Sequence, residues 1–251
     1  MTLRSSVRSA VNSVLQIGGL EVRSLNTPYT DYRDYIPLNE TIDGATRSGL
    51  SVAEYIDVQH NVPGATRRTI EQMAEHGIFD GHLSVICEIG PGSGRYLAQT
   101  LARCKPTRYE VYETSAEWRD WLTAQYDIVV QPCDGRSLAA TPSASVDLVQ
   151  AHKVLPGQPS LVTCRYFEEM ARIVRVGGRV VFDIVTENCF SDDDLTQWYE
   201  AGGGYQHYPC LVPRQFTIDF FARRGFVFTG SFLVPMLPGR TECMTFRLDK
   251  S

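Results

Sequence analysis

The chain has 251 residues, 43% hydrophobic and 21% charged, which suits one α/β domain with additions and a sizeable core. A net charge of −5, with scattered arginines and no aromatic-basic interleaving, argues against nucleic acid as a partner. Seven cysteines without a CxxC pair argue against a disulfide framework or zinc cage and point to a reducing, cytoplasmic setting. No apolar run is long enough for a transmembrane segment.

The chain opens on "MTLRSSVRSAVNSVL", free of acids, with Leu3, Val7, Ala10, Val11 and Val14 on one helical face. A transit peptide or membrane-surface helix would need more arginines or a cleavage pattern. The reading is therefore a helix docked on its own domain or on a second subunit, which leaves a homodimer open. A polar, tyrosine-rich stretch follows, "TPYTDYRDYIPLNETIDG". Pro63-Gly64 then make a turn, and Ile70, Met73 and Ala74 mark a short amphipathic helix. Residues 1–80 are expected to form a helical cap, either a lid or a packed extension, ahead of a domain over 81–251.

Strands and helices alternate from about residue 84, the pattern of a parallel sheet covered by helices. The expected strands are Ser84–Glu88, Tyr109–Glu113, Ile128–Gln131, Val146–Gln150, Arg179–Ile184, Phe226–Leu233 and Cys243–Arg247. The short Pro/Gly-rich joint "PMLPGRTE" predicts an antiparallel pairing of the last two. Leu161, Cys164, Phe167, Met170 and Val174 recur at helical spacing, with Gly177-Gly178 as the expected stop. The fold class is a Rossmann-like, seven-strand, mostly parallel sheet with an antiparallel C-terminal hairpin.

Between the first strand and its helix, "VICEIGPGSGRYLAQ" places Gly90, Gly92 and Gly94 in a sharp turn that suits a nucleotide. Arg95 stands where a dinucleotide fingerprint would have its last glycine. Glu88, two residues before the turn, would meet an ammonium group well and a diphosphate badly. The electrostatics favour a ligand carrying an amino acid over NAD.

"CEIGPGSG" resembles the first motif of class I S-adenosylmethionine-dependent methyltransferases, and further segments resemble that family in order. In "YEVYETS", the resemblance implies that Glu113 binds the ribose hydroxyls. In "PCDGRSL" it implies that Asp134 accepts from the adenine amino group while Gly135 lets the base approach. Thr114 and Ala151 fall beside these positions and join the implied cofactor set. "SVDLVQAHKVL" is similar to the fourth strand and the segment lining the methyl-transfer centre. The overall look of the chain, the cap together with "VQAHKVL" and "TECMTFR", is similar to bacterial sugar O-methyltransferases, which implies a carbohydrate hydroxyl of an oligosaccharide or other small molecule as acceptor. The alternatives are a natural-product or lipid-head-group methyltransferase, on O or N, and a cofactor-binding subunit without catalysis.

His152, just past the fourth strand at the ligand edge, is the candidate general base, since imidazole titrates near neutrality. Beside that catalytic role stands a packing role next to the cofactor. Asp183 leaves the fifth strand, and "YEAGGGYQHYP" carries Tyr205, His207 and Tyr208, residue types suited to stacking on sugars and bonding to hydroxyls. A Mg²⁺ ion held by His152, Asp183 or Glu187 would activate a diol. The "SDDD" run reads as a helix N-terminus rather than a metal site. His76 and His82 read as surface residues.

Overall fold

The computed structural model describes residues 36–193, 196, 200, 211–236 and 239–250, and from Ile36 onward the chain forms one compact unit. The amino-terminal helix and Tyr205, His207 and Tyr208 lie outside the described residues. No described helix is long and apolar enough to cross a membrane.

Among the described residues three helices come first: α1 (Leu38–Ser48), α2 (Val52–His60) and α3 (Ala65–Glu75). The α1 helix lies in the stretch that reads only as polar, because its buried face is small: Thr41, Gly44 and Ala45. Gly44 lies against the Tyr55 ring of α2, where a Cβ has no room. Ser51 and Glu54 cap α2 reciprocally, Glu54 N–H donating to Ser51 Oγ and Ser51 N–H to the Glu54 carboxylate. As expected, Pro63-Gly64 precede α3, which buries Ile70 and Met73.

The sheet and its helices follow in the order β1 (Val85–Ile89), α4 (Arg95–Arg103), β2 (Arg108–Tyr112), α5 (Ala116–Gln125), β3 (Val129–Val130), β4 (Val146–Ala151), α6 (Ser160–Ile173), β5 (Val174–Ile184), α7 (Arg214–Ala222), β6 (Phe226–Met236) and β7 (Gly239–Leu248). The strand order is β3-β2-β1-β4-β5-β7-β6. Strands β1 to β5 pair in parallel, while β7 runs antiparallel to both β5 and β6. This is the expected seven-strand, mostly parallel architecture with its closing hairpin.

Successive β1 residues face opposite layers. Cys87 and Ile89 join a core that includes Phe167, Phe182, Phe221 and Phe246, whose rings lie with centroids 4.4 to 5.8 Å apart. Ile86 faces the other way, onto Ile70, Met73 and Leu97 of α3 and α4.

Two expectations are corrected. Gly177-Gly178 do not end the helix; α6 stops at Ile173 and β5 begins at once. The glycines sit inside β5, where its register against β4 shifts between Val146 and Leu148. A Cβ on Gly178 would meet the Val146 and Asp147 carbonyl oxygens at 3.0 Å. Close approach of two strands, not helix termination, requires a glycine there. His76 likewise is half-buried and stacks on Phe232 with centroids 5.5 Å apart, whereas His82 is exposed.

Candidate active site

The order β2-β1-β4 makes the carboxyl ends of β1 and β4 the point where connections leave the sheet in opposite directions. Open α/β sheets bind ligands there. Ile89 is in register with Ala151, which brings the glycine turn and His152 to neighbouring strand ends. Gly90, Gly92 and Gly94 have φ of 61°, 52° and 72°, a run of left-handed backbone that L side chains rarely adopt. The three differ in surroundings. A Cβ on Gly90 would run into Val154, and one on Gly94 into Leu122. A Cβ on Gly92 would meet nothing within 4 Å, so this glycine faces open space.

Glu113, just beyond β2, closes over the same turn. Gly92 N–H donates to its Oε2 at 2.9 Å and Ser115 N–H to its Oε1 at 2.8 Å. Arg119 donates to the carbonyls of Glu113 and Thr114, fixing the strand end. Asp134 is exposed, and its carboxylate accepts from the Arg136 and Ser137 N–H groups and the Ser137 hydroxyl. Its partial burial pushes the carboxyl up, but those bonds outweigh this and hold it below its ordinary value. Gly135 beside it takes φ 76° and packs near Thr114. The loop is anchored to α6 where Leu138 N–H donates to Glu169 at 2.9 Å.

Glu88 is placed differently from the expected open counter-charge. It is 1% exposed, and its Oε2 accepts from the Tyr109 hydroxyl and, at 3.0 Å, from Gln150 Nε2. Burial pushes its carboxyl up to about 7; the two hydrogen bonds oppose the shift and the charge of Glu113 adds to it. Glu88 braces β1 against β2 and β4 beneath the glycine turn.

His152 is 5% exposed, and its ring stacks on Tyr96 of α4 with centroids 4.2 Å apart and planes 20° from parallel. Its Nε2 is buried without a hydrogen-bond partner among the described residues. Burial, opposed by Asp183 and reinforced by Lys153 and Arg95, lowers the imidazole to about 4. The ring is therefore neutral throughout the physiological range, not poised near neutrality.

Asp183, expected to face the acceptor, is corrected to a buried brace. It is 1% exposed; Oδ1 accepts from Lys153 N–H at 2.7 Å, and Oδ2 from Lys153 Nζ at 3.0 Å and the Thr241 hydroxyl at 2.5 Å. Lys153 turns back onto it through a left-handed backbone, φ 62°. Glu187 is exposed and accepts from Arg214 N–H at the start of α7. His152, Asp183 and Glu187 thus do not converge as a ligand set. Among the described residues no group of three or more His, Cys, Asp or Glu side chains could hold a metal ion.

A buried ion pair that sequence reasoning did not foresee lies behind the glycine turn. Arg95, directly after the glycine turn, donates to Asp57 of α2 at 2.8 Å, and both are buried. Asp57 also accepts from the N–H and hydroxyl of Thr66. The position that argues against a dinucleotide therefore ties the helical cap to the turn. In the sequence Arg95 was legible only as a departure from the dinucleotide pattern, and its partner Asp57 was not singled out.

A methyltransferase-domain family model matches residues 58–229, and the chain belongs to that family. No curated protein sequence matches. Among solved structures, the chain is similar to magnesium protoporphyrin IX methyltransferase from Synechocystis PCC 6803 with bound S-adenosylhomocysteine. The TM-score is 0.59 at 15% identity, over 87% of this chain and 99% of that one. It is also similar to N-methyltransferase NodS from Bradyrhizobium japonicum WM9 with S-adenosylhomocysteine, TM-score 0.56 at 14% identity, over 84% and 99%. A third match lies in the complex of the Haloferax volcanii Trm112 methyltransferase activator with a methyltransferase, TM-score 0.59 at 13% identity, over 83% and 97%.

The protein is a methyltransferase with S-adenosylmethionine as cofactor. Its residues suit that group: an open cradle at Gly92, a carboxylate beside it on Glu113, and an orphaned polar atom on His152.

Proposed function

We propose that this methyltransferase acts on a carbohydrate hydroxyl, with His152 as the general base. The observation that carries the reading is the buried, neutral imidazole whose Nε2 has no partner among the described residues. A buried acceptor without a donor costs free energy, and an acceptor hydroxyl would supply the missing bond. The cofactor supplies an electrophilic methyl group on a sulfonium. Gly92 and Glu113 would hold its nucleoside, while Tyr96 fixes the imidazole plane so that Nε2 can take the hydroxyl proton during attack. The carbohydrate class rests on Tyr205, His207 and Tyr208, residue types that stack on sugar rings and bond to hydroxyls.

Methyl-tritiated S-adenosylmethionine offered with a panel of mono- and oligosaccharides tests both parts. Label should enter a sugar hydroxyl, and His152→Ala should slow transfer ~10²–10⁴-fold with S-adenosylhomocysteine affinity retained. The acid limb of wild-type kcat/KM should fall near pH 4 rather than near neutrality. Label entering amines and no sugar would overturn the acceptor class. A His152→Ala rate within a few-fold of wild type would overturn the base.

A further inference from the structure

Asn61 caps the C-terminus of α2 and is 3% exposed, yet neither its Oδ1 nor its Nδ2 has a hydrogen-bond partner among the described residues. Five buried side-chain polar atoms are orphaned among the described residues: these two, His152 Nε2, the Tyr96 hydroxyl and Thr163 Oγ1. Tyr96 lies close to Thr69 without completing a bond of ordinary geometry to it. His152 and Tyr96 are stacked together at the site.

Asn61 lies near them along the chain. It is the C-cap of α2, one helical turn beyond Asp57, and its own backbone leaves the helix at φ −152° and ψ −149°. Asp57 meets Arg95, the residue directly after the glycine turn and directly before Tyr96. The nearby charges are already matched, because Asp57 is filled by Arg95 and Thr66. What remains unpaired is one neutral carboxamide, with donors on Nδ2 and an acceptor on Oδ1. Leaving both ends buried and unbonded is costly, so the arrangement calls for a ligand that both donates and accepts. The amino-acid end of the cofactor does both: its ammonium donates and its carboxylate accepts.

We propose that the Asn61 carboxamide binds the amino-acid end of S-adenosylmethionine, Oδ1 accepting from the ammonium and Nδ2 donating to the carboxylate. The proposal rests on the cofactor assignment and is independent of the methyl acceptor. It makes the cap part of the cofactor site.

Calorimetric titration of S-adenosylhomocysteine and of 5′-methylthioadenosine, which lacks the amino-acid end, tests it directly. Asn61→Leu should weaken S-adenosylhomocysteine roughly 10- to 100-fold and leave 5′-methylthioadenosine within two-fold. The ligand-free Tm should stay level or rise, because two unsatisfied polar atoms are removed. Asn61→Asp, nearly isosteric, should also weaken S-adenosylhomocysteine selectively by setting a carboxylate against a carboxylate. Unchanged S-adenosylhomocysteine affinity in both variants would overturn the proposal. So would a parallel loss for both ligands, which would mark Asn61 as purely structural. If wild-type protein bound neither ligand, the cofactor assignment itself would fall.

Discussion

Glu88→Gln separates the electrostatics beneath the glycine turn from its packing. The substitution keeps an oxygen to accept from Tyr109 and Gln150 and resembles the protonated acid. In the folded protein the Glu88 carboxyl lies at about 7, against an ordinary value of 4.5. Between those values the native state holds a proton that the unfolded chain has released. Its stabilising contribution is therefore complete below pH 4.5 and lost as pH rises through 7. At 1.36 kcal/mol per pKa unit, that loss is about 3 kcal/mol.

His152 acts in the opposite sense. Its folded value of about 4 lies below the ordinary 6.5, so its contribution is lost as pH falls from 6.5 towards 4. The two effects partly cancel in the wild type, and only the comparison with the variant isolates Glu88. Urea unfolding at pH 4.5 to 8 should show Glu88→Gln gaining about 3 kcal/mol on wild type across that range. A difference that stays constant with pH within ~0.5 kcal/mol would refute the reasoning.

Asp57→Ala leaves Arg95 buried without its counter-charge and should cost ~3–5 kcal/mol by urea unfolding. The double variant Asp57→Ala/Arg95→Met should recover much of that loss, and a single-variant loss below ~1 kcal/mol would mean the pair contributes little. Gly92→Ala should lose ~1–2 kcal/mol of stability, because φ is 52° and the new Cβ meets no protein atom, yet it should sharply weaken S-adenosylhomocysteine by filling the cradle. Gly49→Ala, with φ 64° and equally open space, should lose similar stability and keep full affinity; equal affinities in the two variants would count against the cradle.

What could be read directly from the chain was local. Alternating apolar runs located the strands, and three closely spaced glycines located a left-handed turn whose φ values require them. Features set by distant contacts could not be read this way. The α1 helix hides behind Thr41, Gly44 and Ala45, small residues whose burial is decided by Tyr55 on the next helix. Gly177-Gly178 read as a helix stop, although Gly178 is set by the close approach of β4, some thirty residues earlier in sequence, and Gly177 by a left-handed φ of 81°. Asp183 was legible as a carboxylate at the ligand edge. Its engagement with Lys153 and Thr241 depends on the pairing of β5 with β4 on one side and β7 on the other, which no local pattern encodes. The neutral state of His152 likewise follows from burial against Tyr96, not from residue type.

The central claim is that the glycine turn and the Glu113 carboxylate together form the cofactor site. Its most direct test is a parallel calorimetric titration of S-adenosylhomocysteine into wild type and Glu113→Ala. Wild type should bind, and the variant should lose ~1.5–3 kcal/mol, roughly 10- to 150-fold, with the charge-assisted bonds that Glu113 supplies. A variant that binds within two-fold of wild type would contradict the placement of the cofactor beside Gly92.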